Sequence, residues 1–254
     1  MRSGGRRPGG RGAAKTASGA RRGASAITTR APSVRVKTAA KRSSSSTQWL
    51  ARQLNDPYVA EARRLGYRSR AAFKLIELDD RFHVLKPGAF VVDLGAAPGG
   101  WSQVAVARVQ SENGKGRVVG MDILPMDKVP GAILFTSDFL DPAAPGIIRE
   151  ALGGPADVVL SDMAAPATGH GPTDHLRIVA LAESAYAFAT EILALGGSFI
   201  CKVFQGGTER DLLAVLKRDF QTVRHAKPPA SRAESAEVYV VALGFRGRHS
   251  APAT

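Results

Sequence analysis

The segment Asp93-Leu94-Gly95-Ala96-Ala97-Pro98-Gly99-Gly100-Trp101 follows a short apolar run and opens a helical pattern. Glycines at a strand-to-helix junction let a ligand approach the backbone closely. The spacing is not the dinucleotide fingerprint G-x-G-x-x-G, and no Gly-Lys-Ser/Thr follows as in a phosphate-binding loop. Such a turn can accept a ligand without a pyrophosphate, or it can serve packing alone. Two acids sharpen the choice. Asp122 ends the next apolar run, in Gly120-Met121-Asp122, where an acid accepts hydrogen bonds from ribose hydroxyls. Asp138 follows the third run, in Ser137-Asp138-Phe139, placed to accept from an exocyclic adenine amine. Together they indicate a nucleoside ligand without phosphates. Singly, each is as ordinary as a helix cap or a loop acid.

Ser161-Asp162-Met163-Ala164-Ala165-Pro166 follows the fourth run, and ligands of wound sheets bind outside such strand ends. Lys202 interrupts the apolar stretch GSFICKVF. A lysine there must reach the end of the sheet, find a partner or lose its charge. Lys74 lies inside an apolar helical stripe, and Glu237 opens the last strand pattern. Taken alone, the lysines read as snorkelling side chains and Glu237 as an edge-strand charge.

The elements that must position these residues alternate. Residues 89–94, 117–122, 132–136, 156–161 and 197–203 read as strands, with helical patterns from Trp101, near 142–152 and near 174–195. Strands alternating with helices indicate a parallel sheet wound by crossovers. The end differs: a helix over 209–219 precedes strands over 220–226 and 236–243 with only a loop between them, which predicts an antiparallel hairpin at one sheet edge. Three helices should precede the sheet. Ser46 or Thr47 can cap the first, Asp56-Pro57 starts the second and Gly66 stops it, and Ser69 can cap the third.

Charge divides the chain into two parts. Of 254 residues, 35 are Lys or Arg and 22 are Asp or Glu. Thirteen of the basic residues precede Asp56, the first acid, so the remaining 22 balance the 22 acids and the whole excess of +13 sits in the leader. Residues 1–46 carry four bulky apolar side chains, Met1, Ile27, Val34 and Val36, too few to offset the ordering entropy. They are expected to be a disordered basic leader before a domain over 47–254. A tail without acids suits contact with nucleic acid, where phosphate contacts release counterions; it lacks the apolar core of a secretory signal and the amphipathic helix of a transit peptide. The single cysteine, Cys201, excludes a disulfide framework and a cysteine-rich zinc site. The histidines show no metal-ligand spacing. No run approaches 18 apolar residues, so a transmembrane helix is not expected.

Six blocks carry a resemblance: Leu65–Leu75, Val92–Gln103, Met121–Asp127, Ser161–Pro166, Gly196–Gly206 and Lys227–Ala242. In this order, over the span from Thr47 to about Phe245, the chain resembles the RrmJ/FtsJ family of RNA ribose 2′-O-methyltransferases. It is most similar to the bacterial branch, which modifies a uridine of large-subunit ribosomal RNA. The resemblance implies a Rossmann-like α/β methyltransferase, mostly parallel with the antiparallel edge hairpin, and S-adenosylmethionine as donor. It implies a catalytic Lys-Asp-Lys-Glu set on Lys74, Asp162, Lys202 and Glu237, and cofactor contacts on Gly99, Trp101, Asp122, Asp138 and Asp162. It further implies a cytoplasmic monomer acting on ribosomal RNA within a ribosomal particle, with no metal. Two departures concern the RNA side: Ala165-Pro166-Ala167 stands where the family often has Asn, and Glu234 where a basic residue is common.

Lys202 is then the candidate base or orienting group for the ribose hydroxyl. The charge of Lys74 would favour a neutral Lys202, whereas Asp162 and Glu237 would favour a charged one. Two basic groups, Arg63, Arg64, Arg68 and Arg70 before Lys74, and Arg224, Lys227 and Arg232 before Glu237, are expected to flank the opening and hold phosphates. Competing readings are the same chemistry on another RNA, such as transfer RNA, a non-catalytic ribosome-assembly factor, and a nicotinamide-dependent oxidoreductase. The last is disfavoured by the missing fingerprint.

Overall fold

The computed structural model describes Met1 and residues 34–35, 38, 43–166, 168–206 and 210–247. The leader expected over residues 1–46 therefore lies almost wholly outside the described residues. Within it, the described Val34 bonds the side-chain amide of Asn55 through both its N–H and its carbonyl.

Three helices come first: α1 (Ser44–Leu54), α2 (Pro57–Leu65) and α3 (Ala71–Phe82). Asp56 caps α2 by accepting from Tyr58 N–H, Pro57 occupies the first turn, and Gly66 ends it at φ 78°. Two cap expectations need correction. Ser43, not Ser46 or Thr47, caps α1, accepting from Ser46 N–H; any serine of the run can cap, and the helix extends one turn further back than the apolar pattern reaches. Ser69 makes no side-chain cap on α3, where Arg70 holds the cap position in helical geometry; its hydroxyl is buried against Gly100.

The sheet follows, with strands β1 (Phe90–Leu94), β2 (Arg117–Asp122), β3 (Ala132–Thr136), β4 (Ala156–Ser161), β5 (Leu193–Phe204), β6 (Phe220–Ala226) and β7 (Glu237–Phe245). Between them run α4 (Gly100–Val109), α5 (Ala144–Leu152), α6 (Gly171–Ile192) and α7 (Arg210–Asp219). The strand order is β3-β2-β1-β4-β5-β7-β6. The first five strands pair in parallel, and β7 runs antiparallel to both β5 and β6. The fold is thus mixed α/β with an antiparallel edge. The strand β5 begins at Leu193, earlier than expected, and the added segment pairs Leu193 with Ala156 across a register shift between Ala156 and Val158.

Both sheet faces are buried, which is why these strands read as continuous apolar runs. One face packs Val92, Leu94, Val119, Met121, Val159 and Val203 under α5, α6 and α7. The other packs Val91, Val118, Val158, Leu160, Ile200 and Val241 under α3 and α4. The strand order reverses between β1 and β4, and the crevice for a ligand in such a sheet lies at that reversal, past the carboxyl ends of the strands.

Candidate active site

The lysine and carboxylate positions meet on the α3 side of the sheet. In the β5–β7 register Lys202 faces Tyr239 and Phe204 faces Glu237. Opposed residues share a face, and so do residues two apart on a strand. Lys202, Tyr239 and Glu237 therefore project together, and α3 lays Lys74 over them. Lys74 Nζ lies 2.6 Å from Glu237 Oε1 and 5.7 Å from the centre of the Tyr239 ring. Asp162 enters from the end of β4, where its N–H donates to Leu94 O at 3.0 Å. Lys202 Nζ donates to the Asp162 carbonyl at 2.7 Å and lies 3.1 Å from its carboxylate Oδ1.

Tyr239 closes the chain of contacts. Its hydroxyl donates to Asp162 Oδ1 at 2.8 Å and lies 3.4 Å from Glu237 Oε1. Ser231 adds a hydroxyl 3.1 Å from the same Glu237 oxygen. Burial pushes the Asp162 carboxyl up, but the charges of Lys202 and Lys74 and the bonds from Tyr239 and Lys202 hold it below the ordinary carboxylate value. Burial and the two neighbouring carboxylates push the Tyr239 phenol far above its usual value, so it stays a hydrogen-bond donor. Sequence reasoning passed over Tyr239 and Ser231. The signal for Tyr239 was its place two residues after Glu237 on one strand; Ser231, in a loop, offered none.

Next to this cluster, a cavity of about 540 Å³ opens at the carboxyl ends of the strands, lined by Gly95, Asp122, Ile123, Asp138, Leu140 and Met163 among others. Asp122 fastens its floor, accepting from Ala97 N–H through Oδ2 and from Leu124 N–H through Oδ1. Asp138 Oδ1 accepts from Leu140 N–H. Gly95 is required because a Cβ there would come within 2.8 Å of the Met163 backbone. Of the five expected cofactor positions, Asp122 and Asp138 line the cavity, and Asp162 precedes its lining residue Met163 in sequence. Gly99 and Trp101 do not line it. Gly99, at φ 106°, starts α4. Trp101 is 3% exposed: its indole N–H donates to Ala71 O, and its ring centre lies 5.6 Å from that of Tyr239. Its side chain belongs to the core under the lysine cluster.

The two expected phosphate-holding groups mostly have other work. Arg68 donates to the carbonyls of Pro98, Asp127 and Lys128, closing the Gly-rich turn. Arg70 pairs with Asp56 at 2.8 Å and donates to Ala230 O. Arg232 lies 3.5 Å from Asp56, and Lys227 donates to the carbonyls of Ala233 and Ser235. Arg64 pairs with Glu61. Arg63 and Arg224 are exposed, as are the engaged Arg64 and Lys227. A sequence displays charge but not the carbonyls and carboxylates that claim it.

Among the described residues, no group of three or more His, Cys, Asp or Glu side chains could hold a metal ion. No helix among them is long and apolar enough to cross a membrane.

Residues 67–245 match the family described as FtsJ-like methyltransferase. A protein of Paramagnetospirillum magneticum named ribosomal RNA large subunit methyltransferase E is 64% identical over 249 residues, covering 97% of this chain and 99% of its own. A protein of the same name from Parvibaculum lavamentivorans is 63% identical over 230 residues, covering 88% and 91%. A crystal structure from Plasmodium falciparum, described as that of a ribosomal RNA methyltransferase, superposes with a TM-score of 0.64 at 32% identity, covering 72% of this chain and 100% of its own.

Proposed function

Because the chain belongs to the FtsJ-like methyltransferase family, we propose that it transfers a methyl group from S-adenosylmethionine to the ribose 2′-hydroxyl of a uridine in large-subunit ribosomal RNA. One observation carries the reading. Lys74, Glu237, Tyr239, Asp162 and Lys202 form one continuous chain of polar contacts, and Met163, the residue after Asp162, lines the cavity that holds Asp122 and Asp138.

The cavity suits a nucleoside with a cationic tail. Asp122 and Asp138 supply acceptors for ribose hydroxyls and an adenine amine, and Ile123, Leu140 and Met163 supply apolar walls. When bound, S-adenosylmethionine supplies a methyl group already activated by its positive sulfur. The protein must therefore prepare the acceptor hydroxyl. Lys202 Nζ has three donor positions, two of them engaged by the carbonyl and carboxylate of Asp162. The third is left for the hydroxyl oxygen and aims its lone pair. The lowered Asp162 carboxyl stays negative and holds Lys202 in place. The hydroxyl proton grows acidic as the oxygen is alkylated, and Asp162 and Glu237 are the carboxylates of the cluster able to receive it. Lys74, paired to Glu237, bounds the other side of the hydroxyl's site.

The substrate is tested by offering labelled S-adenosylmethionine with large-subunit particles, free ribosomal RNA and transfer RNA, then mapping the label. A uridine 2′-oxygen of the large-subunit RNA is the expected position. Label confined to transfer RNA would replace the substrate and keep the chemistry.

A further inference from the structure

The hydrogen bonds from Lys74 and Ser231 and the Tyr239 contact all converge on Oε1 of Glu237, and none of them goes to Oε2. Ser231 is 7% exposed and sits in the loop between β6 and β7. This loop has no regular structure of its own, yet it is fastened at several points. Lys227 Nζ bridges the Ala233 and Ser235 carbonyls. Ser231 N–H donates to Pro228 O at 2.8 Å. The next residue back, Ala230, is gripped on both backbone groups: its N–H donates to Glu77 Oε2 at 2.7 Å, and its carbonyl accepts from Arg70 at 2.5 Å. Glu77 is itself held by the Tyr58 hydroxyl at 3.0 Å, and Arg70 by Asp56. So α3, which also delivers Lys74, and α2 behind it fix the height of Ser231 above the sheet.

We propose that Ser231 is a positioning residue for methyl transfer: its hydroxyl fixes Glu237 through Oε1, so that Oε2 is presented to the ribose of the acceptor nucleotide. The inference rests on the methyl-transfer reading above. A carboxylate held by Lys74 and by the longer contact of a Tyr239 hydroxyl that donates to Asp162 could rotate about its last torsion, since terminal sp³–sp² torsions are broad. A second donor on the same oxygen, arriving from a clamped backbone, removes that freedom. Ser231 touches no reacting atom and acts through Glu237.

The test is steady-state methyl transfer by the full chain to large-subunit particles, comparing wild type, Ser231→Ala and Ser231→Thr. The expected result for Ser231→Ala is a fall in kcat of about three- to tenfold. The KM for particles and for donor should stay within about twofold, because only a group acting at the transition state is misplaced. Ser231→Thr, which keeps the hydroxyl, should recover most of the loss. An unchanged kcat in Ser231→Ala, or a loss expressed only in KM, overturns the proposal. Should Ser231→Ala fail to fold, Ser231→Cys against Ser231→Thr replaces it: slower turnover with the weak thiol donor supports the proposal, and equal turnover overturns it. Wild type that methylates no RNA overturns the underlying reading instead, a result distinct from active wild type with an indifferent Ser231→Ala.

Discussion

The Tyr239 hydroxyl donates to Oδ1 of Asp162 at 2.8 Å, and Lys202 Nζ lies 3.1 Å from the same oxygen. One carboxylate oxygen thus joins β4, β5 and β7 at the point where the sheet changes from parallel to antiparallel. The phenol also approaches Glu237, so the two ion pairs, Lys202–Asp162 and Lys74–Glu237, are one unit rather than two.

Tyr239→Phe should therefore slow catalysis without unfolding the protein. The ring keeps its place against Trp101 and beneath Lys74, and only the hydroxyl is lost. Turnover should drop by about fivefold or more, and stability by about 1 kcal/mol, the usual worth of one such bond. Turnover assays and urea melts check both.

The Lys74–Glu237 pair should couple strongly. Their side chains are only 10% and 15% exposed, and removing one partner leaves the other as an uncompensated, largely dry charge. Lys74→Met and Glu237→Gln should each cost about 3–5 kcal/mol, and the double variant less than the sum. Strict additivity in urea melts would show that the two charges do not depend on one another.

Donor binding should separate the two cavity carboxylates. Asp138→Ala should weaken S-adenosylmethionine binding by about tenfold, the loss of a hydrogen bond or two. Asp122→Ala should lose more, because Asp122 also holds Ala97 and Leu124. Titration calorimetry reads both. Equal affinities across the set would remove the donor from this cavity.

Asp93 gives a pH-dependent prediction. It is fully buried, and Ser102 donates to its Oδ2 at 2.7 Å. Burial pushes its carboxyl up to about 7; the Ser102 bond opposes this, and the charges of Asp162 and Asp122 reinforce it. The folded state then holds this proton more tightly than the unfolded chain, whose carboxyl titrates near 4. The stabilisation is full below about pH 4 and is lost as pH rises toward 7. Asp93→Asn has no proton to lose, so its stability relative to wild type should rise between pH 5 and pH 8 by on the order of 2 kcal/mol. A difference between the two proteins that is flat with pH would contradict this.

Much of the architecture was legible because the physics is periodic. Val91, Val92 and Leu94 had to be buried on both faces, and Asp122 ended its strand as expected. Lys202 and Lys74 stood out as charges inside apolar patterns, and the structure brings both to the carboxylates of Asp162 and Glu237. Partner choice was not legible. Arg68 and Arg70 looked like phosphate contacts, yet backbone carbonyls and Asp56 claim them. The resemblance implies a cofactor contact at Trp101, and nothing in the sequence shows that its indole is turned to Ala71 O in the core. Ser231 reaches Glu237 only because Glu77, 153 residues before Ala230, grips its neighbour. Long-range pairings of this kind leave no periodic trace.

The most direct test of the account is methyl transfer from labelled S-adenosylmethionine to large-subunit particles by wild type and by Lys202→Ala, with the donor affinity of each measured alongside. With Lys202 proposed on the acceptor side, the account predicts unchanged donor binding and a loss of at least about a hundredfold in turnover, the cost of misplacing the acceptor hydroxyl. Lys202→Ala that binds the donor and methylates at the wild-type rate would contradict it.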